Sequence, residues 1–131
     1  MADVRVLVVD DSRAFREALL ELIELVGGFR AVGEAASGEE SLELAETLAP
    51  DLVLLDVRLP GLDGLETSKR LVDTPDPPTV VLVSTDVPAT DDVRVVGSGA
   101  SAVRSKAEID LEWLSELRRR FWPHEPQDAS P

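Results

Sequence analysis

The chain has 131 residues, of which 44% are hydrophobic and 30% charged, and 26 acidic against 13 basic side chains leave a formal net charge of −13. This is one domain's worth of an ordinary globular chain, and its charge argues against nucleic acid or an anionic membrane surface as a partner, since either would be repelled. With no cysteine in the chain, disulfides, thiolate metal sites and cysteine nucleophiles are ruled out, which fits a cytoplasmic setting.

The apolar run Val6-Leu7-Val8-Val9 near the N-terminus has no basic region before it and stops at Asp10, so neither a signal peptide nor a transmembrane helix is expected. Val4–Val9 instead predicts a first buried strand that ends in Asp10-Asp11. Ser12 is placed to cap a helix on which Phe15, Leu19, Leu22 and Val26 recur at helical spacing, and Gly27-Gly28 supplies its stop. Phe29–Ala35 predicts a weaker strand nearer an edge. Ser37 and Glu40, three apart, form a capping box for a helix bearing Leu42, Ala45 and Leu48, which Pro50 ends.

Leu52-Val53-Leu54-Leu55 is an unbroken aliphatic run leading into Asp56, the pattern of a central strand buried on both faces. After the Pro60-Gly61 turn, Asp63-Gly64 opens a short helix carrying Leu65, Lys69 and Val72, and Pro75-Asp76-Pro77-Pro78 is a rigid linker. Residues 79–83 predict a fourth strand, closing with Ser84-Thr85-Asp86. Residues 89–96 make the poorest helix, with valines at 93, 95 and 96 and Gly97 behind them. Residues 101–105 predict a fifth strand that runs into Lys106.

Asp110 caps a last helix with Leu111, Leu114, Leu117 and Phe121 on one face. Its final arginines, Arg118, Arg119 and Arg120, complement the helix dipole and are expected to be solvated. Trp113, off that apolar face, is a candidate anchor for a partner. The domain is expected to span residues 1–122, and 123–131 to form a disordered, polar, proline-rich tail and a true terminus. The lone histidine, His124, has no neighbouring ligand in sequence and is given no metal or catalytic role.

Five strands alternating with five helices predict an α/β fold, a doubly wound five-stranded parallel sheet with right-handed crossovers. In such sheets ligands sit outside the carboxyl ends of the strands. Four strand ends bring polar groups there: Asp10 with Asp11, Asp56, Ser84 and Lys106. Three carboxylates so placed repel one another unless a cation neutralises them, and Mg²⁺ suits hard oxygen ligands. Such a group beside a lysine and a hydroxyl suits phosphoryl transfer, with a carboxylate as nucleophile.

The motifs Val8-Val9-Asp10-Asp11-Ser12, Leu54-Leu55-Asp56-Val57-Arg58-Leu59-Pro60-Gly61-Leu62-Asp63-Gly64, Val83-Ser84 and Gly99-Ala100 leading to Ser105-Lys106 occur here in one order. Together they resemble the receiver domains of two-component response regulators, from about Val4 to Phe121. Ala107-Glu108-Ile109 after the lysine makes the chain more similar to receivers usually joined to helix-turn-helix DNA-binding domains. The resemblance implies a flavodoxin-like sheet of order 2-1-3-4-5. It also implies that Asp56 accepts a phosphoryl group from a histidine kinase or phosphotransfer protein, and that Asp11, Asp56 and the Arg58 carbonyl bind Mg²⁺, with Asp10 acting largely through water. Lys106 would pair with a phosphoryl oxygen. Ser84 would move to meet another, passing the signal to the face of the fourth helix, fifth strand and fifth helix. That face would meet an unknown downstream protein or a second copy of the chain, through protein contacts because no output domain is present in the sequence.

Three departures from the family pattern stand out. Val103 occupies the place of a switching aromatic, and Ala107 that of a proline. Arg58 and Asp86, each two residues beyond a site residue, either pair across the mouth and limit water's access or stand as two independent, solvated side chains. The alternative is a phosphorylation-independent, receiver-like binding module. An aspartate-nucleophile phosphatase ranks last, because Arg58 stands where its second aspartate would be. No turnover of an external metabolite is expected, only self-catalysed phosphotransfer and dephosphorylation.

Overall fold

A computed structural model describes residues 3–86 and 92–123. The elements run β1 (Val4–Val9), α1 (Arg13–Val26), β2 (Phe29–Ala35), α2 (Gly38–Leu48), β3 (Leu52–Asp56), α3 (Gly64–Val72), β4 (Thr79–Ser84), α4 (Val93–Gly97), β5 (Ala102–Ser105) and α5 (Leu111–Phe121). A 3-10 turn at Lys106–Glu108 joins the last two. The sheet is parallel throughout in the order β2-β1-β3-β4-β5, as the family resemblance implies. Phe29–Ala35 is an edge strand, as its mixed composition predicts.

Side chains alternate across a strand with period two, and the core divides accordingly. Val4, Val6 and Val8 of β1, Leu52 and Leu54 of β3 and Val81 of β4 face Leu19 and Ile23 of α1 and Leu114 and Leu117 of α5. Leu7, Val9, Val53, Leu55, Val80 and Leu82 face the other way, against Leu65 and Leu71 of α3 and Val95 of α4. Leu52, Val53, Leu54 and Leu55 are all fully buried, so β3 is covered on both faces and Asp56 ends a strand with little freedom to move.

The expected caps form: the side chains of Ser12, Ser37 and Asp110 accept amides of Phe15, Glu40 and Trp113, and Asp63 adds a cap on the Glu66 amide. On α1 the buried positions are Leu19 and Ile23, while Phe15, Leu22 and Val26 pack at the margin. The fourth helix is short, as its valines and glycine predict; the expected residues 89–91 lie outside those described. Among the described residues no helix is long and apolar enough to cross a membrane. The expected tail lies almost wholly outside the described residues, and so does His124.

One expectation for α5 is corrected. Arg118 is buried, 5% exposed, beside Gly28, where a Cβ would meet its side chain. One guanidinium thus belongs to the packing of α5 on the α1–β2 turn, while Arg119 and Arg120 are exposed. Trp113 is half-buried against the core, with the Arg104 guanidinium 5.4 Å from its ring centroid, and the rest of its surface stays open to a partner.

Candidate functional site

Asp10 follows the last residue of β1 and is fully buried. Its amide donates to the Ala35 carbonyl of β2 at 3.0 Å, and its Oδ1 accepts the Ser12 amide at 2.8 Å. Arg16, one turn into α1, donates from Nη1 to the Asp10 carbonyl at 2.7 Å and from Nε to Glu34 at 2.8 Å. The β1–α1 turn is thereby tied to both of its neighbours. Asp56, 4% exposed, accepts the Arg58 amide on Oδ1 at 3.1 Å. The turn behind it is held by the Val57 amide on the Val83 carbonyl and the Gly64 amide on the Val57 carbonyl.

The alternation of side chains explains which groups converge. Asp10 and Asp56 share the parity of the residues that face α1 and α5, so both carboxylates emerge on that side of the strand ends. One carboxylate oxygen from each of Asp10, Asp11 and Asp56 lies within 4.8 Å of the others. Lys106 enters from the end of β5: its Nζ is 2.5 Å from Asp10 Oδ2 and 3.3 Å from Asp56 Oδ2, and 4.4 Å from the centroid of the Phe15 ring.

Ser84 has the parity of Val80 and Leu82, the opposite face. Its buried hydroxyl donates to the Asp86 carbonyl at 2.7 Å. The Arg58 side chain reaches outward to pair with Asp86, Nη2 to Oδ2 at 3.1 Å, the first of the two arrangements that the sequence allows. Both of these side chains are 73% exposed.

Burial pushes the Asp56 carboxyl above its ordinary pKa. The Arg58 amide and the Lys106 ammonium work against that, and the Asp10 charge works with it. For Lys106 burial acts to lower the pKa, but the Asp10 and Asp56 carboxylates outweigh it and hold the ammonium above the usual lysine value. Asp10 Oδ2 is buried with no well-directed hydrogen bond and has the Lys106 ion pair instead. Three converging carboxylates against one ammonium make a donor set that fits a small hard cation.

Asp10, Asp11, Asp56 and Lys106 are thus brought together. Ser84 stands on the adjoining strand end with its hydroxyl turned to its own loop, and Arg58 contributes its amide to the pocket. From the sequence alone Phe15 reads only as a core position, and nothing marks Arg16, Glu34 or the tight approach of Gly64 to Asp56. A charged residue inside an amphipathic helix carries no sign of which carbonyl it will reach; that follows only once β2 is seen to lie beside β1.

The response regulator receiver domain family matches residues 6–117 of the chain. Response regulator GacA of Pseudomonas viridiflava is 36% identical over 118 residues, which are 90% of this chain and 55% of that protein. A protein-glutamate methylesterase/protein-glutamine glutaminase of Myxococcus xanthus is 36% identical over 123 residues, 94% of this chain and 31% of the relative. The chain therefore spans about half the length of the first and a third of the second. Among solved structures, the signal receiver domain of the response regulator NarL from Mycobacterium tuberculosis has a TM-score of 0.81 and 32% identity, covering 89% of this chain and 94% of that one. The response regulator domain of Thermotoga maritima CheB has a TM-score of 0.80 and 30% identity, covering 95% and 99%. On its sequence, its sheet order and its acidic pocket, the chain belongs to the response regulator receiver domain family.

Proposed function

We propose that the chain is a phosphoacceptor switch in two-component signalling, with Asp56 as the residue that takes the phosphoryl group from a histidine kinase or phosphotransfer protein. The observation that carries this reading is the convergence of the Asp10, Asp11 and Asp56 carboxylates with the Lys106 ammonium at the end of β3. An Asp56 carboxylate oxygen would attack phosphorus while the P–N bond of the donor breaks, and the leaving imidazole would take a proton as it departs. Asp11, Asp56 and the Arg58 carbonyl would hold Mg²⁺, with Asp10 beside them; the ion would neutralise the carboxylates and the charge on the phosphoryl oxygens. Lys106 would pair with one phosphoryl oxygen. Ser84 would leave the Asp86 carbonyl to donate to another.

That rotation is a local hydrogen-bond exchange able to bias a two-state element. It would be read on the face of α4, β5 and α5, where Val93 is 84% exposed, Val96 67% and Leu111 41%. We place the partner there, a downstream protein or a second copy, in the cytoplasm.

A second reading, a module that binds its partner without phosphate, draws on Val103 in place of a ring and on the five-residue α4. The test of both is intact-mass measurement after incubation with acetyl phosphate or phosphoramidate and Mg²⁺. Gain of one phosphoryl group, lost in Asp56→Ala, supports the switch; no gain with any donor favours the second reading.

A further inference from the structure

We propose that Phe15 is a positioning residue for Lys106, its ring holding the ammonium at the Asp10 and Asp56 carboxylates so that it stands ready for a phosphoryl oxygen. The inference deepens the phosphoacceptor reading above and rests on it for its chemical consequence.

The Lys106 Nζ lies 4.4 Å from the Phe15 ring centroid, inside the ~6 Å range over which the face of an aromatic ring attracts a cation. The same nitrogen is shared by the two carboxylates, and the lysine side chain is only 19% exposed. Water is therefore largely replaced around the ammonium by two charged groups and one ring, and such attractions are stronger where the site is dry.

Phe15 is well placed to do this. Its amide donates to the Ser12 cap, its ring packs at the margin of the core shared by α1 and α5, and Arg16 beside it is tied to the Asp10 carbonyl. The ring is thus held close to the Asp10 carboxylate by the short turn that joins β1 to α1. Lysine is a compact charge on a flexible four-carbon stem, with three donors that no single partner orients. A ring draws the charge toward it without accepting a hydrogen bond in the ordinary sense, so the N–H groups remain available to the carboxylates and then to phosphate. A carboxylate in the same place would compete for them.

The chain contains two lysines, Lys69 and Lys106, and Lys69 lies exposed on α3. Isotope-labelled lysine therefore gives one reporter and one internal reference in an NMR spectrum of the metal-free protein. The ε-CH₂ protons of Lys106 are expected to be shifted upfield by the ring current, the shift vanishing in Phe15→Leu while Lys69 stays in place. In a second arm, mono-, di- and trifluorophenylalanine are placed at position 15 by nonsense suppression, which weakens the ring's attraction for a cation and keeps its shape. The rate of phosphoryl uptake from phosphoramidate with saturating Mg²⁺ is expected to fall stepwise, by about three- to tenfold across the series. A Lys106 signal that Phe15→Leu does not move, or an uptake rate flat across the fluorinated series, overturns the inference, because packing alone is unaffected by fluorination. Should the parent protein take up no phosphoryl group at all, the proposed function and the catalytic half of this inference fall together, while the lysine signals still decide the contact.

Discussion

Gly64 stands against the backbone of Asp56: a Cβ built on it would lie 2.1 Å from the Asp56 carbonyl oxygen and 2.7 Å from Val57 Cα. The first turn of α3 thus closes on the end of β3, joined by the Gly64 amide on the Val57 carbonyl at 2.9 Å. Backbone cannot yield as a flexible side chain can, so Gly64→Ala is expected to cost about 2–3 kcal/mol. Urea unfolding of parent and variant checks this; a loss below about 0.5 kcal/mol would mean that the turn can open freely.

The raised pKa of Asp56 states that its charge is poorly accommodated in the metal-free fold, burial being the main cause. Asp56→Asn keeps the shape and the acceptor for the Arg58 amide and removes the charge. Metal-free, this variant is expected to melt above the parent by about 3–6 °C per kcal/mol gained. Mg²⁺ is expected to raise the parent's melting temperature and the variant's much less. A variant that melts below the parent in chelator would contradict the electrostatic account.

Asp63 works in the opposite sense. The Glu66 amide on its Oδ1 at 2.8 Å, and then the Arg94 guanidinium on Oδ2 at 2.7 Å, hold its carboxyl below the ordinary value of 3.8. A carboxyl whose pKa falls on folding contributes stability that is fully present above the unfolded value and is lost as pH falls through the folded one. Asp63→Ala is therefore expected to cost about 1 kcal/mol at neutral pH as a lost helix cap, and the gap between parent and variant should narrow as pH falls below 3.8. A gap that persists unchanged into acid would show that the cap does not act through its charge.

Arg58 and Asp86 pair in the open, and an ion pair this exposed contributes roughly 0–1 kcal/mol at most. Arg58→Ala is expected to leave the melting temperature nearly unchanged and to shorten the lifetime of the phosphorylated form, read by intact mass against time. An unchanged lifetime removes the idea that the pair limits water at the mouth of the site.

Much of this architecture is legible in the sequence because it depends on short-range signals. The run Leu52-Val53-Leu54-Leu55 shows a strand covered on both faces, Ser12, Ser37, Asp63 and Asp110 mark helix starts, and polar residues after each aliphatic run show where the crevice opens. What is not legible depends on contacts between distant elements. Arg118 looks like one of three solvated arginines until α5 is laid on Gly28. Phe15 looks like a core residue until β5 delivers Lys106 beside it. Ser84 is found at the right strand end, but the alternation of β4 turns its hydroxyl toward Asp86, which motif spacing alone does not reveal.

In the proposed switch Asp56, and no neighbouring carboxylate, becomes the acyl phosphate when a cation occupies the acidic pocket. Borohydride reduces an aspartyl phosphate to homoserine, which peptide sequencing by mass spectrometry locates. After treatment with phosphoramidate, homoserine is expected at position 56 alone, in the presence of Mg²⁺ and not of chelator. Homoserine at position 10 or 11, or equal yield without the metal, would contradict the account.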